Sequence, residues 1–479
     1  MSAWETVIGL EVHVQLTTRS KMFSGAAIAY GADPNCQANE VDVAMPGALP
    51  AVNAEAIRQA VRFGLAVNGE LSPVSVFERK NYFYPDLPKG YQLSQFAQPI
   101  VVGGVVRARR TDGTALDVQL TRAHLEEDAG KSLHDAFASA TGVDYNRAGT
   151  PLLEVVTEPV LGSAAEAVAY LKALHTLVRW LGICDGNMAE GSFRCDANVS
   201  VRPVGSKTLS TRSEVKNVNS FRFVEKAINY EVERHTRLYE RGESPVQETR
   251  LYDAARDETR SMRSKEFAED YRYFPDPDLP PLRLSPALVA QEREALPELP
   301  AQRHARYVDS LGLSEYDADL LTADRALADY YEQALVAVPG EPKLAANWVL
   351  GELSAALNAD QLSIETSPLS ASRLGGVLAK IVSKQINGKI AKRVFEAMWK
   401  GSENAEEVIA RLGLKRIDDS AALGATIDEI LSKYPDQLAQ FRAGQEKLMQ
   451  FFIGQAMRAT RGQADPAALQ RLLAEKLAG

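Results

Sequence analysis

The hydrophobic pattern of this chain changes period once, near residue 290, and that change limits the folds open to it. Before it, short apolar–polar alternations recur (ETVIGLEVHV, ALDVQLTRAHLEE, PLLEVVTE, CDANVSVRP and TRSEVKNVN), divided by Gly, Pro and Asn turns. Alternation of period 2 marks half-buried strands. Two segments in this part, 53–67 and 164–181, carry an apolar stripe at helical spacing instead. From residue 297 on, helical spacing dominates, over 301–311, 320–335, 343–357, 369–384 and 389–399. Ser314 and Asp317 in LSEYD resemble a capping box with Asp in place of Glu. The proline-dense run PDPDLPPLRLSP, 275–286, reads as a linker, and a second break falls at 401–404. The expectation is an α+β chain: an antiparallel-sheet domain over 1–292, an all-α helical domain over 293–402 and a small all-α tail over 403–479.

The 479 residues suit this division, at roughly 100–200 residues per domain. No apolar run approaches the ~20 residues of a membrane span. The start, MSAWETVIGLEV, lacks the basic and apolar regions of a signal peptide. Three scattered cysteines, Cys36, Cys184 and Cys195, form no CxxC pair. That pattern predicts a reducing compartment, hence a cytoplasmic chain with no membrane partner. A net charge of −9 excludes a uniformly basic nucleic-acid binder but not a local basic patch.

In GLEVHVQL, 9–16, an extended backbone puts Leu10, Val12, Val14 and Leu16 on one face and Glu11, His13 and Gln15 on the other. A wet sheet face explains any one such acid. Other strands, however, repeat the pattern. Glu154 lies in PLLEVVTEP; Asp196, Asn198 and Ser200 share a face of CDANVSV; Arg212, Glu214 and Lys216 share one in TRSEVKN. Glu126, Glu127 and Asp128 follow in HLEEDAGK, and alternation lets only one of the two glutamates face inward. Carboxylates with one imidazole suit Mg²⁺ or Mn²⁺, which work with substrate phosphates beside Lys and Arg. The usual nucleotide signatures are missing: Gly130-Lys131-Ser132 has Leu125 where a P-loop needs its first glycine.

The loop KNYFYPDLPKGYQLSQ, 80–95, interleaves Tyr82, Phe83, Tyr84 and Tyr91 with Lys80 and Lys89. Aromatics near cations suit unpaired RNA bases, or else a proline-bent loop packing into the core. YFYPDLP at 82–88 echoes YFPDPDLP at 273–280, too little for a repeat protein. The stretch 378–400 gathers Lys380, Lys384, Lys389, Lys392, Arg393 and Lys400 against one acid, Glu396. The segment 441–461 reads as a tail helix with Arg442, Lys447, Arg458 and Arg461 around Leu448, Phe451, Phe452 and Met457. The first stretch fits an RNA backbone or a solvated helix face, and the second an RNA elbow or packing within its own domain.

Seven blocks, in order, resemble a known family: GLEVHVQL, KNYFYPDLPKGYQLSQ, HLEEDAGKS, DYNRAGTPLLEVVTEP, EGSFRCDANVSVRP, RSEVKNVNSFRFVEKAINYE and YRYFPDPDLPPL. They are similar to the B subunit of the glutamyl/aspartyl-tRNA amidotransferase over nearly the whole chain. The resemblance implies a cradle-like N-terminal kinase domain, a helical domain and a tRNA-binding tail. It implies an ATP- and Mg²⁺-dependent ligase that phosphorylates the side-chain carboxylate of Glu-tRNA(Gln) or Asp-tRNA(Asn). Ammonia from a partner amidase (A) subunit then gives Gln-tRNA(Gln) or Asn-tRNA(Asn), with a small C subunit completing a heterotrimer. Carried over by position, Glu11, His13, Glu126 and Glu154 resemble the family's Mg²⁺ cluster. Lys80, Tyr82 and Lys89 match the loop lining the reaction site and ammonia entry, with Tyr82 and Tyr84 at the tRNA 3′ end. Asp196, Asn198 and Lys216 fall near the nucleotide, and Lys384, Lys389, Lys392, Arg393 and Arg458 are assigned to the tRNA body. Many members carry a CxxC pair before an LPGxLP block; here only Cys36 precedes MPGALP, so no zinc is expected. A metal-dependent phosphohydrolase and a non-catalytic tRNA scaffold are the alternatives, and neither accounts for all the blocks.

Overall fold

A computed structural model describes residues 4–478 apart from 135, 136, 138, 265–267, 415–419, 444, 446, 461–463 and 465. The chain divides into two compact units, Met1–Ala301 and Gln302–Gly479.

The first unit is built on one sheet. Its main strands are β1 (Trp4–Gln15), β2 (Glu78–Asn81), β3 (Tyr91–Ser94), β4 (Ala115–Glu127), β5 (Pro151–Thr157), β6 (Phe193–Pro203), β7 (Ser213–Lys216), β8 (Glu248–Asp253), β9 (Glu258–Ser264) and β10 (Phe274–Pro275). They run in the order β9-β8-β7-β6-β1-β5-β4-β3-β2-β10. All neighbours are antiparallel except β7 and β8. Leu10, Val12, Val14, Leu153, Val155, Ala197 and Val199 bury one face of the central strands in the apolar core. That core is completed by helices α1 (Ala54–Ala66), α2 (Ala164–Trp180) and α3 (Phe221–Glu240), capped by the side chains of Asn53, Ser163 and Ser220. The opposite face carries the polar residues, as the alternation in β1 requires.

One irregularity decides which side chains of β4 reach the polar face. The ladder to β5 steps from Val156↔Arg122 to Thr157↔Leu120, so β4 uses one extra residue, Thr121, at that point. Leu116, Val118 and Leu120 face the core before the bulge, and Ala123 and Leu125 after it. Arg122, His124 and Glu126 are thereby turned outward. A β-bulge beside a functional face commonly has this effect.

Two expectations need correction. The helix α3 interrupts what reads in sequence as a strand-dominated region; buried Val224, Ala227 and Ile228 continue into buried Glu231 and His235, which break the apolar stripe. The run 275–286 is no free linker. Pro275 pairs with Glu78, Leu282 with Ser75 and Arg283 with Val74, while Arg79 Nε donates to Asp276 Oδ2 at 2.6 Å. Helix α4 (Pro286–Glu294) then docks on α1 through Arg62 and Glu292, 2.9 Å apart. The chain accordingly leaves the first unit at Ala301, past the boundary read at 292.

The second unit is helical, as expected. Following α5 (Pro300–Asp309), helices α6 (Glu315–Thr322) and α7 (Arg325–Leu335) are split by Asp324, whose carboxylate caps α7. Ser314 Oγ accepts from Asp317 N at 3.1 Å, the N-cap half of the box read from LSEYD, while the Asp317 carboxylate accepts from the Ser314 hydroxyl at 2.7 Å. After α8 (Pro342–Trp348), a π-helical turn (Val349–Leu353) joins α9 (Ser354–Ala359). Helices α10 (Ala371–Val382), α11 (Gly388–Trp399) and α12 (Ala405–Leu412) share a core with α6–α9. The tail has its own core, from Leu423 to Leu477. It is formed by α13 (Ser420–Lys433), α14 (Pro435–Arg442), α15 (Leu448–Ala459) and α16 (Pro466–Ala478). The single tail helix read over 441–461 is thus two, and Arg461 lies outside the described residues.

Candidate active site

Register alone assembles the site. His13 on β1 stands opposite Glu154 on β5, which stands opposite His124 on β4; on the other side His13 faces Arg194 on β6. Directly opposed residues share a face, so these four side chains form one row. The next row along brings in Glu126, opposite Leu152, and the row before it holds Glu11, Asp196 and Arg122.

Within this face His13 Nε2 lies 3.4 Å from Glu126 Oε1 and 3.7 Å from Glu154 Oε2. One donor atom from each of the three falls within 4.8 Å of the others, and among the described residues no other group of His, Cys, Asp or Glu does this. The two glutamates are driven apart in acidity. Burial, then the charge of Glu154, pushes the Glu126 carboxyl well above its ordinary range. Burial would raise Glu154 too, but its electrostatic interaction and hydrogen bond with His124 hold it well below. Burial also lowers His13, against the pull of Glu154. A pair of buried carboxylates that cannot both ionise unaided, with an imidazole nitrogen between them, is a donor set fitted to a hard divalent cation. His124, buried, sets Glu154 from behind. Its Nδ1 accepts from Arg122 Nε at 3.4 Å, which leaves Nε2 to carry the proton 3.2 Å from Glu154 Oε2.

Glu11 stands outside this trio. Its carboxylate accepts from Asn198 Nδ2 at 2.9 Å, so two residues assigned to separate tasks are joined to each other. Lys216 Nζ donates to Asp196 Oδ2 at 2.5 Å and lies 3.6 Å from Glu214. Burial alone would lower that ammonium, but Asp196 and Glu214 raise it, and it stays charged. Arg194 donates to Asp128 Oδ2 at 2.7 Å, and Asp128, although buried, is held below its ordinary value by Arg194 and Arg147. The alternative of Glu126 or Glu127 is resolved by side: Glu127 turns away from the trio and accepts from Lys89 and from the Leu93 amide. Lys89 is therefore tied to Glu127, whereas Lys80 acts on both Glu126 and Glu154.

The loop over 80–95 is a hairpin of β2 and β3. Tyr82 donates to Gln92 Oε1 at 3.3 Å, and Tyr84, 48% exposed, meets its ring edge-on at 5.8 Å. In the second unit, Lys389, Lys392 and Arg393 lie exposed on α11 and Lys384 just beyond α10; Lys392 is paired with Glu352. Arg458 is exposed on α15. Sequence reading missed Arg122, His124 and Arg194, which follow from alternation once the bulge is known. It also assigned no role to Tyr271 and Tyr273, although both stand in the block YRYFPDPDLPPL and Tyr273 in the echo of 82–88 at 273–280.

The same arrangement has relatives. The family described as GatB/GatE catalytic domain matches residues 6–290, and the GatB domain matches 329–477. The chain is 59% identical over 474 residues to the aspartyl/glutamyl-tRNA(Asn/Gln) amidotransferase B subunit of Thioalkalivibrio sulfidiphilus, covering 99% of both chains. Like-named proteins of Alkalilimnicola ehrlichii, 58% identical over 99% of each chain, and Ectopseudomonas mendocina, 56% identical over 99% of this chain and all of the other, are similar throughout. No described helix is long and apolar enough to cross a membrane. A polar sheet face carrying an acid–imidazole trio, followed by a helical half that matches over the same span, leads to one assignment: the chain belongs to the GatB family of aspartyl/glutamyl-tRNA amidotransferase B subunits.

Proposed function

We propose that this chain is the kinase and tRNA-binding subunit of a tRNA-dependent amidotransferase, a carbon–nitrogen ligase acting on Glu-tRNA(Gln), Asp-tRNA(Asn) or both. The side-chain carboxylate oxygen of the attached amino acid attacks the γ-phosphorus of ATP and ADP leaves. Ammonia, released from glutamine by a partner amidase subunit, then attacks the acyl carbon and inorganic phosphate leaves with the bonding pair. A small third subunit completes the assembly, which works in the cytoplasm. The observation that carries this reading is the convergence of His13, Glu126 and Glu154 beside Lys80 and Arg194 on one open sheet face.

The chemistry needs that set of charges. A carboxylate is a poor electrophile, and phosphorylation supplies its leaving group. Mg²⁺ held by His13, Glu126 and Glu154 would supply positive charge to the phosphate oxygens. The chain's own cations add to it: Lys80 lies on the side of the trio, Arg194 is fixed by Asp128 and Lys216 by Asp196. Preorganised donors of this kind favour the transferring phosphoryl group because they need not reorient as charge develops. Glu11 and Asn198, joined by a hydrogen bond, hold the neighbouring row in place. The basic residues of α11 and α15 suit the tRNA backbone.

The test uses the chain co-purified with its amidase and small subunits, γ-labelled ATP, Mg²⁺ and each misacylated tRNA. Phosphate release that depends on the misacylated tRNA, and amide formation once glutamine is added, are the expected results. His13→Ala should lower both by at least about 100-fold while partner glutaminase activity persists. Phosphate release indifferent to tRNA would replace this reading with a phosphohydrolase.

A further inference from the structure

The two proline-rich aromatic motifs that echo each other in sequence, at 82–88 and 273–280, are joined at their leading ends, where residues 78–82 meet 271–275. β2 pairs with β10, and the rings flanking that pair make an unbroken line. Tyr84 meets Tyr82 at 5.8 Å, Tyr82 meets Tyr271 at 6.2 Å, Tyr271 meets Tyr273 at 6.0 Å, and Tyr273 stacks on Phe96 at 4.3 Å with the planes 9° apart. None of the five belongs to the apolar core of this unit. Lys80 Nζ sits 4.9 Å from the centre of the Tyr271 ring and 5.9 Å from that of Tyr82. The line borders the acid trio: the Arg122 guanidinium lies 5.6 Å from the centre of the Phe96 ring and, through His124, reaches Glu154.

The backbone between the two tyrosines of the second arm is held in an unusual shape. Arg272 has φ +48°, in the left-handed region that a bulky residue adopts only when held there. Asn81 holds it, its Nδ2 donating to the carbonyls of Tyr271 at 2.9 Å and Arg272 at 3.0 Å. A fold that constrains this turn from the neighbouring strand keeps Tyr271 and Tyr273 beside the first arm, although neither packs in the core.

We propose that Tyr271 and Tyr273 complete, with Tyr82, Tyr84 and Phe96, a stacking wall for one unpaired adenine base beside the acid trio. Aromatic rings with a cation alongside bind the face of a base in this way, without reading its edges. Adenine reaches this place from either of two sources, the 3′-terminal adenosine of the misacylated tRNA or the nucleotide that donates phosphate, and the experiment separates them. The inference rests on the kinase reading above for the identity of the ligands.

The assembled complex with its amidase and small subunits is titrated into two fluorescent probes without turnover: tRNA with 2-aminopurine as its terminal base, and 2-aminopurine riboside triphosphate. Stacking quenches 2-aminopurine. One probe should be quenched by the wild type; Tyr271→Leu and Tyr273→Leu should remove the quench and weaken that probe's binding about tenfold or more, while Tyr→Phe at either position keeps both. Quenching of the tRNA probe assigns the wall to the tRNA end, and quenching of the triphosphate assigns it to the nucleotide. Phe96→Leu, at a ring 38% exposed, carries the same test if the tyrosine variants fail to fold. Neither probe quenched by the wild type, or full quenching by folded leucine variants, would overturn the wall. Tyrosine-dependent quenching without tRNA-dependent phosphate release would leave the wall standing and refute the kinase reading instead.

Discussion

His124 contributes no atom to the trio, yet its imidazole sets the state of Glu154. Held by Arg122 through Nδ1, it offers Nε2–H to the Glu154 carboxylate and keeps one lone pair of that group directed. Partners that orient a ligand typically account for 10–100-fold in metal affinity. His124→Ala should therefore weaken Mn²⁺ binding by about 10–100-fold, and His124→Gln, which retains a donor, should recover part of it. Isothermal titration of the intact complex measures this, and equal affinity in all three proteins would remove His124 from the role. His13 was legible in the sequence as a polar-face residue of a regular alternation, and Glu154 as an acid set in an apolar strand. His124 and Arg122 were not, because in LTRAHLEE the parity of apolar positions shifts, and no single period places them. Glu11 was legible as a polar-face residue, but alternation says nothing about which neighbour it pairs with, and it pairs with Asn198.

Helix α3 shows the limit of periodicity at the next scale. Its stripe runs Val224, Ala227, Ile228, Glu231, His235, and the last two look like the end of burial when they are fully buried. Glu231 is accommodated by Arg234 Nη2 at 2.7 Å, Arg250 Nε at 3.0 Å, the Thr259 hydroxyl and His235. Of these, Arg250 and Thr259 sit on β8 and β9, far along the chain, so no local signal announces them. Burial opposes ionisation of Glu231, but His235, Arg234 and Thr259 bring its carboxyl down from 4.5 to about 2. A depressed folded value means that the stabilisation is complete above the unfolded value and is lost as pH falls through the folded one. Glu231→Gln should cost about 3–5 kcal/mol at pH 7, since it leaves buried cations without their acid. The gap between wild type and variant in urea unfolding should narrow between pH 4.5 and about 2. A gap unchanged at pH 3 would mean that packing, not charge, anchors α3.

Across the whole molecule, charge and core are divided unevenly. The chain carries −9 overall, yet the surface of α11 and the residue beyond α10 are cationic. Each cation taken away from a phosphate should flatten the dependence of log affinity on log salt by about one. Lys389→Ala with Arg393→Ala should thus lower the slope for tRNA binding by about two in the assembled complex. Lys392→Ala should change it less, because Glu352 already holds that ammonium. Filter binding across a salt series checks both, and identical slopes in all variants would move the tRNA off this surface. The division into a sheet half and a helical half was legible because the two periods differ. The point of separation was not: the prolines over 275–286 suggest a link, but Arg79, Asp276 and two short strand pairs bind that run to the sheet.

The extra residue in β4 has a genetic consequence. Because β4 feeds the core with alternate side chains and the acid trio with the others, Thr121 fixes which set goes where. Loss of that one codon would turn Arg122, His124 and Glu126 inward and bring Ala123, Leu125 and Glu127 to the open face. Every side chain of the polar face would still be encoded, but the trio would be dispersed and the core burdened with buried charge. Loss of this one triplet should therefore cost soluble protein and the assembled trio in a single step.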